Sequence, residues 1–195
     1  MSSITKKVFG VAAVLLVLAG GVYGAFSATV SSTGNQFSTG AQAISADGGG
    51  DGVATHPVYF KTNAVPGDNG DNGEECVKIT NIGTTNGASY KLYGSTTGTP
   101  TAALTSQLEL TIREGSGDAT DCSDFVAAGA PVYQGTLQDF QSGKTSFASG
   151  VDLGSLASAA SKTYQFYVEL PSDADPASIQ NANAGNQTFT WEIQS

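Results

Sequence analysis

The chain has 195 residues, 25 of them Gly, with 8 Lys+Arg against 17 Asp+Glu and a formal charge of -9. That sign excludes a basic nucleic-acid binder, because phosphate binding draws on clustered cations. A hydrophobic content of 39% with 9% aromatic residues can build a core, which argues against disorder throughout. A single long apolar run excludes a polytopic membrane protein, and one His, His56, cannot make a multi-histidine metal centre.

The first segment has the layout of an export signal. Lys6 and Lys7 form a basic start, no charge occurs from Val8 to Phe26, and Val22-Tyr23-Gly24 ends on a small residue. This order predicts a secretory signal over residues 1–24 with cleavage after Gly24. The rival reading is an uncleaved anchor, since about 20 apolar residues span a bilayer. Gly20, Gly21 and Gly24 weaken a helix at its outer end and favour cleavage. The product is expected to be secreted, at the cell surface or in an extracellular matrix, and to touch a membrane only through the signal. Losing Lys6 and Lys7 makes the mature chain still more acidic, which favours solubility.

The mature start, Phe26-Ser27-Ala28-Thr29-Val30-Ser31, alternates strictly, with Phe26, Ala28 and Val30 on one face. Ser32-Thr33-Gly34-Asn35 breaks the pattern, and Gln36-Phe37 resumes it in the other parity. Two readings fit. One is an ordinary first strand. The other is a donor strand that completes a neighbour's sheet, drawing affinity from backbone hydrogen bonds and specificity from alternate side chains. An open sheet edge is the matching acceptor, and head-to-tail exchange gives filaments because it does not close.

Further along, period-two alternation predicts half-buried strands. Val58-Tyr59-Phe60 is a short candidate; Val77 and Ile79 bracket Lys78; Tyr90 and Leu92 bracket Lys91. Stronger runs are Leu108 to Arg113, Tyr164 to Leu170 and Thr188 to Gln194. The expected core is Val77, Ile79, Leu108, Leu110, Ile112, Phe166, Val168, Phe189, Trp191 and Ile193. Clusters at Asp47 to Gly52, Gly67 to Gly73 and Gly94 to Thr99 predict turns and loops. Thr136 to Phe140 and Pro176 to Asn183 predict short helical turns. The fold class expected is all-β, a jelly-roll-like antiparallel β-sandwich over residues 38–195 preceded by an N-terminal strand and hinge over 25–37.

Cys76 and Cys122 are the only cysteines, so one pairing exists. An oxidising exterior favours a disulfide; two free thiols are the alternative. A redox or metal role would call for closer spacing of the Cys-x-x-Cys kind, which is absent.

The run Gly24-Ala25-Phe26-Ser27, followed by Gly34-Asn35-Gln36-Phe37-Ser38-Thr39-Gly40, resembles the mature start of the TasA and camelysin family, whose signals are processed by a SipW-type signal peptidase. The resemblance continues at Val65-Pro66-Gly67-Asp68, at Glu75 to Thr80 with the Asn81-Ile82-Gly83 turn, at Tyr164 to Pro171 and at Gln187 to Glu192. It implies a jelly-roll subunit of extracellular fibres, of biofilm matrices or bundling pili, in which one subunit's N-terminal segment inserts into the next. Carried onto this chain, the donor is Ala25 to Gly34, with Phe26, Ala28 and Val30 inserting. The partners implied are identical subunits, head to tail, with a minor anchoring or nucleating subunit. The Cys pair and the loops Asp47 to Thr55 and Gly67 to Gly73 depart from the family pattern, which leaves the acceptor groove undefined.

Camelysin-type proteins are often described as metallopeptidases, so the resemblance also brings an enzyme reading. The residues argue against it. A zincin uses two His one helical turn apart with a Glu between them, and His56, followed by Pro57, is alone. No Gly-x-Ser-x-Gly elbow supports a serine triad. Asp68, Asp71, Glu74 and Glu75 offer a candidate calcium loop, since Ca²⁺ takes six to eight oxygens; a solvated acidic turn is the plainer reading. No other cofactor is expected. Asn186-Gln187-Thr188 is an N-glycosylation sequon at Asn186. The leading expectation is a secreted filament subunit polymerising by donor-strand exchange and not an enzyme. A monomeric secreted binding module is the alternative, and a camelysin-like peptidase the weaker one.

Overall fold

The computed structural model describes residues 27–31, 34–35, 43–48, 65–67, 69–118 and 122–194. Eleven strands are present among them: β1 (Ser27–Ser31), β2 (Gly34–Asn35), β3 (Ile44–Gly48), β4 (Asn69–Asn81), β5 (Ser89–Thr97), β6 (Glu109–Ser116), β7 (Val126–Ala127), β8 (Tyr133–Thr136), β9 (Val151–Asp152), β10 (Ser161–Glu169) and β11 (Asn186–Gln194). Two short helices, α1 (Ala102–Thr105) and α2 (Leu137–Gly143), interrupt them. The first sheet runs β2-β1-β11-β5-β9; the second runs β3-β4-β10-β6-β7, with β8 also on β6. All pairings are antiparallel. The chain crosses between the sheets from β4 to β5, from β5 to β6 and from β10 to β11, and β10 and β11 each lie between strands distant in sequence. The result is a two-sheet β-sandwich of the expected class.

Alternation decides which side chains enter the space between the sheets. Leu110 and Ile112 of β6, Tyr164, Phe166 and Val168 of β10, and Phe189, Trp191 and Ile193 of β11 are buried there. All ten expected core residues are buried. The two sheets meet through aromatic rings. Phe166 lies 4.7 Å from Phe189 between centroids, and its ring stands edge-on to Trp191 at 6.0 Å. Tyr164 is 6.1 Å from Trp191. Tilted and edge-on pairs at such distances add to plain area burial.

The predicted helical turn after Thr136 is α2. Thr136 caps it, its hydroxyl accepting from the Asp139 amide at 3.1 Å, and Asp139 in the first turn suits the positive end of the helix. α2 sends Leu137 and Phe140 into the core, and Phe140 packs on Phe189 at 5.2 Å. Pro176 to Asn183 forms turns rather than helix.

Three expected loops are strand in part. Asp47 and Gly48 end β3, opposite Lys78 and Val77. Asn69 to Gly73 begins β4, with Asn69 opposite Glu169. Gly94 to Thr97 completes β5 opposite β11. Turn-forming residues are drawn into pairing because a neighbouring strand supplies partners for their backbone groups. Gly94 shows a second reason. A Cβ there would lie 2.6 Å from the Thr188 carbonyl oxygen and 3.0 Å from the Phe140 ring, so glycine permits close backbone approach, not a turn. The candidate strand Val58 to Phe60 lies outside the described residues.

The disulfide joins Cys76 of β4 to Cys122 in the segment between β6 and β7, with Cα atoms 5.4 Å apart. That segment is also held by the Thr163 hydroxyl, which donates to the Gly117 carbonyl at 2.6 Å, and by the Asp124 carboxylate, which accepts from the Asp118 amide at 3.0 Å. It covers Cys76 and Thr163, both buried. The bridge spans 46 residues of chain, which the chain-entropy account values at roughly 4 kcal/mol. Replacing both cysteines by Ala should lower unfolding stability by about that amount while leaving the far-ultraviolet circular dichroism of the sandwich intact. An unchanged denaturation midpoint would contradict this assignment.

One end of the interior is polar. Lys162 pairs with Glu114 at 2.9 Å and donates to the Leu153 carbonyl at 3.0 Å. The Tyr164 hydroxyl donates to Glu114 at 3.3 Å. Burial pushes the phenols of Tyr164 and Tyr90 well above their ordinary 10.0, with charge on Glu114 adding to both and the Tyr164 charge adding at Tyr90. Unfolding frees both phenols to ionise near their ordinary value. The folded form keeps them protonated, so their contribution is fully present below pH ~10 and is lost as pH rises beyond it. Melting temperatures taken across this range should fall on the alkaline side, and a Tyr90→Phe, Tyr164→Phe double variant should flatten the fall. The same slope in both proteins would assign it elsewhere.

Candidate assembly site at the edge of the first sheet

The predicted N-terminal strand exists, and its neighbour is β11. The register is continuous: Ser27 opposite Gln194, Ala28 opposite Ile193, Thr29 opposite Glu192, Val30 opposite Trp191 and Ser31 opposite Thr190. The two alternating positions Ala28 and Val30 therefore stand against the two buried residues Ile193 and Trp191. Phe26, the third of the set, lies outside the described residues. Hydrophobic pattern is what selects such a register, since a slip of one residue would exchange the faces.

The segment expected to act as a hinge is partly paired. Gly34 and Asn35 form β2 and lie back against Ser31 and Val30, so the chain reverses directly after β1. β2 has two residues and is the outermost strand of its sheet. Short outer strands are one way of limiting pairing with another chain. Here the limit is slight, because residues 25–46 contain no charge or proline, the other common guards of an edge.

β11 is the strand against which β1 pairs, and it is fixed from its far side. All nine of its residues have partners in β5. Below it, Trp191 is wholly buried, and its indole N–H has no hydrogen-bond partner among the described residues. The disulfide lies in the second sheet, so nothing covalent ties β1 to its place except the chain leading on to β3.

Asp68 lies outside the described residues. Asp71 and Glu74 fall within β4, and Glu75, half-buried, is opposite Phe166. An extended strand spreads positions 71 to 75 over about 13 Å, so the expected acidic turn is corrected to strand. Among the described residues, no group of three or more His, Cys, Asp and Glu is placed to hold a metal ion. His56 lies outside the described residues. Asn186 is exposed, at the first position of β11 and opposite Thr97. No described helix is long and apolar enough to cross a membrane.

The reversal at β2, the pairing of β1 with the last strand and the unequal lengths of β1 and β11 were not legible beforehand. The absence of charge from Ala25 to Ala46 was the available signal for an unguarded strand. No family model matches the chain, and no curated protein matches it.

Proposed function

We propose that this protein is a secreted structural subunit of an extracellular filament, polymerising by exchange of its mature N-terminal strand between copies. The observation that carries this reading is the seating of β1. It is a five-residue strand near the rim of its sheet, paired with β11 and connected to the sandwich by a neutral, polar segment. A strand paired along its whole length with β11 and over two residues with β2 can be replaced on β11 by the same strand of another copy, with the same backbone bonds and the same alternate residues. Exchange then costs little in contacts, and when each copy donates to one neighbour and accepts from another the assembly grows without closing. Charge does not oppose it locally. The molecule is acidic overall, but residues 25–46 carry no charged side chain, and the one charged side chain of β11, Glu192 opposite Thr29, already accepts from the Tyr93 hydroxyl at 2.8 Å.

The resemblance to the TasA and camelysin fibre proteins supports the same reading. It also implies processing after Gly24, identical subunits as the main partners and a minor subunit that anchors or nucleates. The reading has no catalytic step. The second reading is a monomeric secreted β-sandwich module, favoured by the fact that β1 completes its own chain's sheet.

Negative-stain electron microscopy of the mature chain, Ala25 to Ser195, beside a chain beginning at Asn35 separates the two. Filaments from the first and folded single particles from the second are the expected result. Single particles from both, over a range of salt and with a nucleating fibre fragment added, would select the module.

A further inference from the structure

β11 offers more pairing surface than β1 uses. It has nine residues, Asn186 to Gln194, all paired on one side with β5. On the other side β1 covers only Thr190 to Gln194. Among the described residues no strand lies against Asn186 to Phe189 on that side, because the chain reverses after Ser31 and places Gly34 and Asn35 beyond β1. Backbone groups that point sideways from a strand are the template for another chain.

We propose that the edge Asn186–Phe189 is the part of the acceptor reserved for a second copy: a donated N-terminal segment runs straight past Ser31 and pairs with all of β11. This rests on the donor-strand reading above. The register fixes the fit. Continued without a break beyond Ser31 opposite Thr190, it sets Ser32 opposite Phe189, Thr33 opposite Thr188, Gly34 opposite Gln187 and Asn35 opposite Asn186. The straight segment Ser27 to Asn35 thus matches β11 from end to end. The sequence allows it, since Ser-Ala-Thr-Val-Ser-Ser-Thr-Gly-Asn contains no proline and no charge, so every residue keeps its backbone donor.

A reason for exchange follows. Within one copy the chain turns back after β1, so the far end of β11 meets no strand of that copy's described residues. Between copies the turn opens, the β1–β2 pairing of two residues is given up, and four further positions of β11 gain a partner. The donated strand thereby outcompetes the copy's own strand although the first five positions are identical. The same geometry makes Asn186 part of the assembly contact, so a modification at that sequon would sit at the end of the acceptor.

Cross-linking of mixed single-site variants, made on chains in which Cys76 and Cys122 are kept, tests this. Thr33→Cys on one chain with Thr188→Cys on the other reports the extended register. Ser31→Cys with Thr190→Cys reports donation alone. Thr188 and Thr190 are both half-exposed, so mild oxidation reaches them. Cross-linked dimers from both mixtures in assembled material, and loss of the Thr33–Thr188 product in dispersed monomer, are expected. A dimer from the Ser31–Thr190 mixture alone would overturn the extended register while leaving strand donation standing. No dimer from either mixture would remove donation itself.

Discussion

A chain beginning at Asn35 is expected to fold and yet to melt about 10 °C below the mature protein. Removing β1 deletes a five-residue antiparallel pairing, and hydrogen bonds of this kind contribute about 0.5–1.5 kcal/mol each, so roughly 3–5 kcal/mol is at stake. For a chain of this size each kcal/mol moves the melting temperature by ~2–4 °C. The body that remains keeps both sheets, the aromatic core and the disulfide, which is why it should still fold. A synthetic peptide spanning Ala25 to Gly34 should restore the lost stability in trans. At a hundredfold excess over its dissociation constant, binding adds about 2.7 kcal/mol. The same peptide should cap growing filaments of the mature chain by filling acceptors. Thermal melts with and without peptide check the first effect, and sedimentation of filaments the second. A truncated chain that melts where the mature chain does would show that β1 contributes nothing at this edge, and the donor reading would lose its physical basis.

Trp191 carries the second large effect. It is wholly buried in β11, opposite Val30 and against Tyr164 and Phe166. Trp191→Ala removes this ring from the centre of the sandwich, and such truncations cost about 3–5 kcal/mol. Trp191→Phe asks a different question. It keeps an aromatic ring but deletes the indole N–H, which has no partner among the described residues. An unsatisfied buried donor costs about 1–3 kcal/mol, so its removal offsets much of the lost ring, and the net change should stay within ~1.5 kcal/mol. Denaturant titrations of the two variants check both values. Equal losses for Phe and Ala would mean that the N–H is satisfied in the folded protein.

Both expectations place the weight of the molecule on β11. This strand is central to the fold and, in the assembly proposed above, is also the receiving surface. Its inner face builds the core through Phe189, Trp191 and Ile193, and its backbone edge faces β1 for part of its length and no described strand for the rest. Stability and association therefore draw on the same residues through different groups. Side chains secure the monomer, and in that proposal main-chain N–H and C=O groups serve the partner. Mutations that weaken the core and mutations that block the edge should separate cleanly in experiment.

Asn81 shows how the rest of the sandwich is secured without adding apolar area. It is buried, donates to the Thr85 and Leu156 carbonyls at 3.0 Å each, and accepts from the Gly83 amide at 2.9 Å. A fully satisfied buried amide fixes the turn between β4 and β5 onto the opposite strand connection. Its role was visible in sequence only as a turn residue.

The division between sequence and tertiary structure follows from the range of the forces involved. Strand positions, the inward face of each strand and the core around Phe166, Phe189 and Trp191 were legible in the residues, because a period of two is a local property. So was the sandwich class, since several half-buried strands must cover one another. The pairing of Cys76 with Cys122 followed from there being no other partner. What stayed hidden depends on residues far apart. Asn69 to Gly73 and Gly94 to Thr97 have turn composition and became strand because neighbours from distant sequence satisfied their backbone groups. Ile44 to Gly48 runs into the Asp47-Gly48 turn composition, and the two-residue strands β7 and β9 are too short for any period to show. The alternation of Phe26, Ala28 and Val30 announced a strand but not its partner. Only the tertiary structure decided that this strand lies on the last one, that it stops at Ser31, and that four residues of β11 extend beyond it, because pairing partners are chosen by the whole chain and not by the segment that pairs.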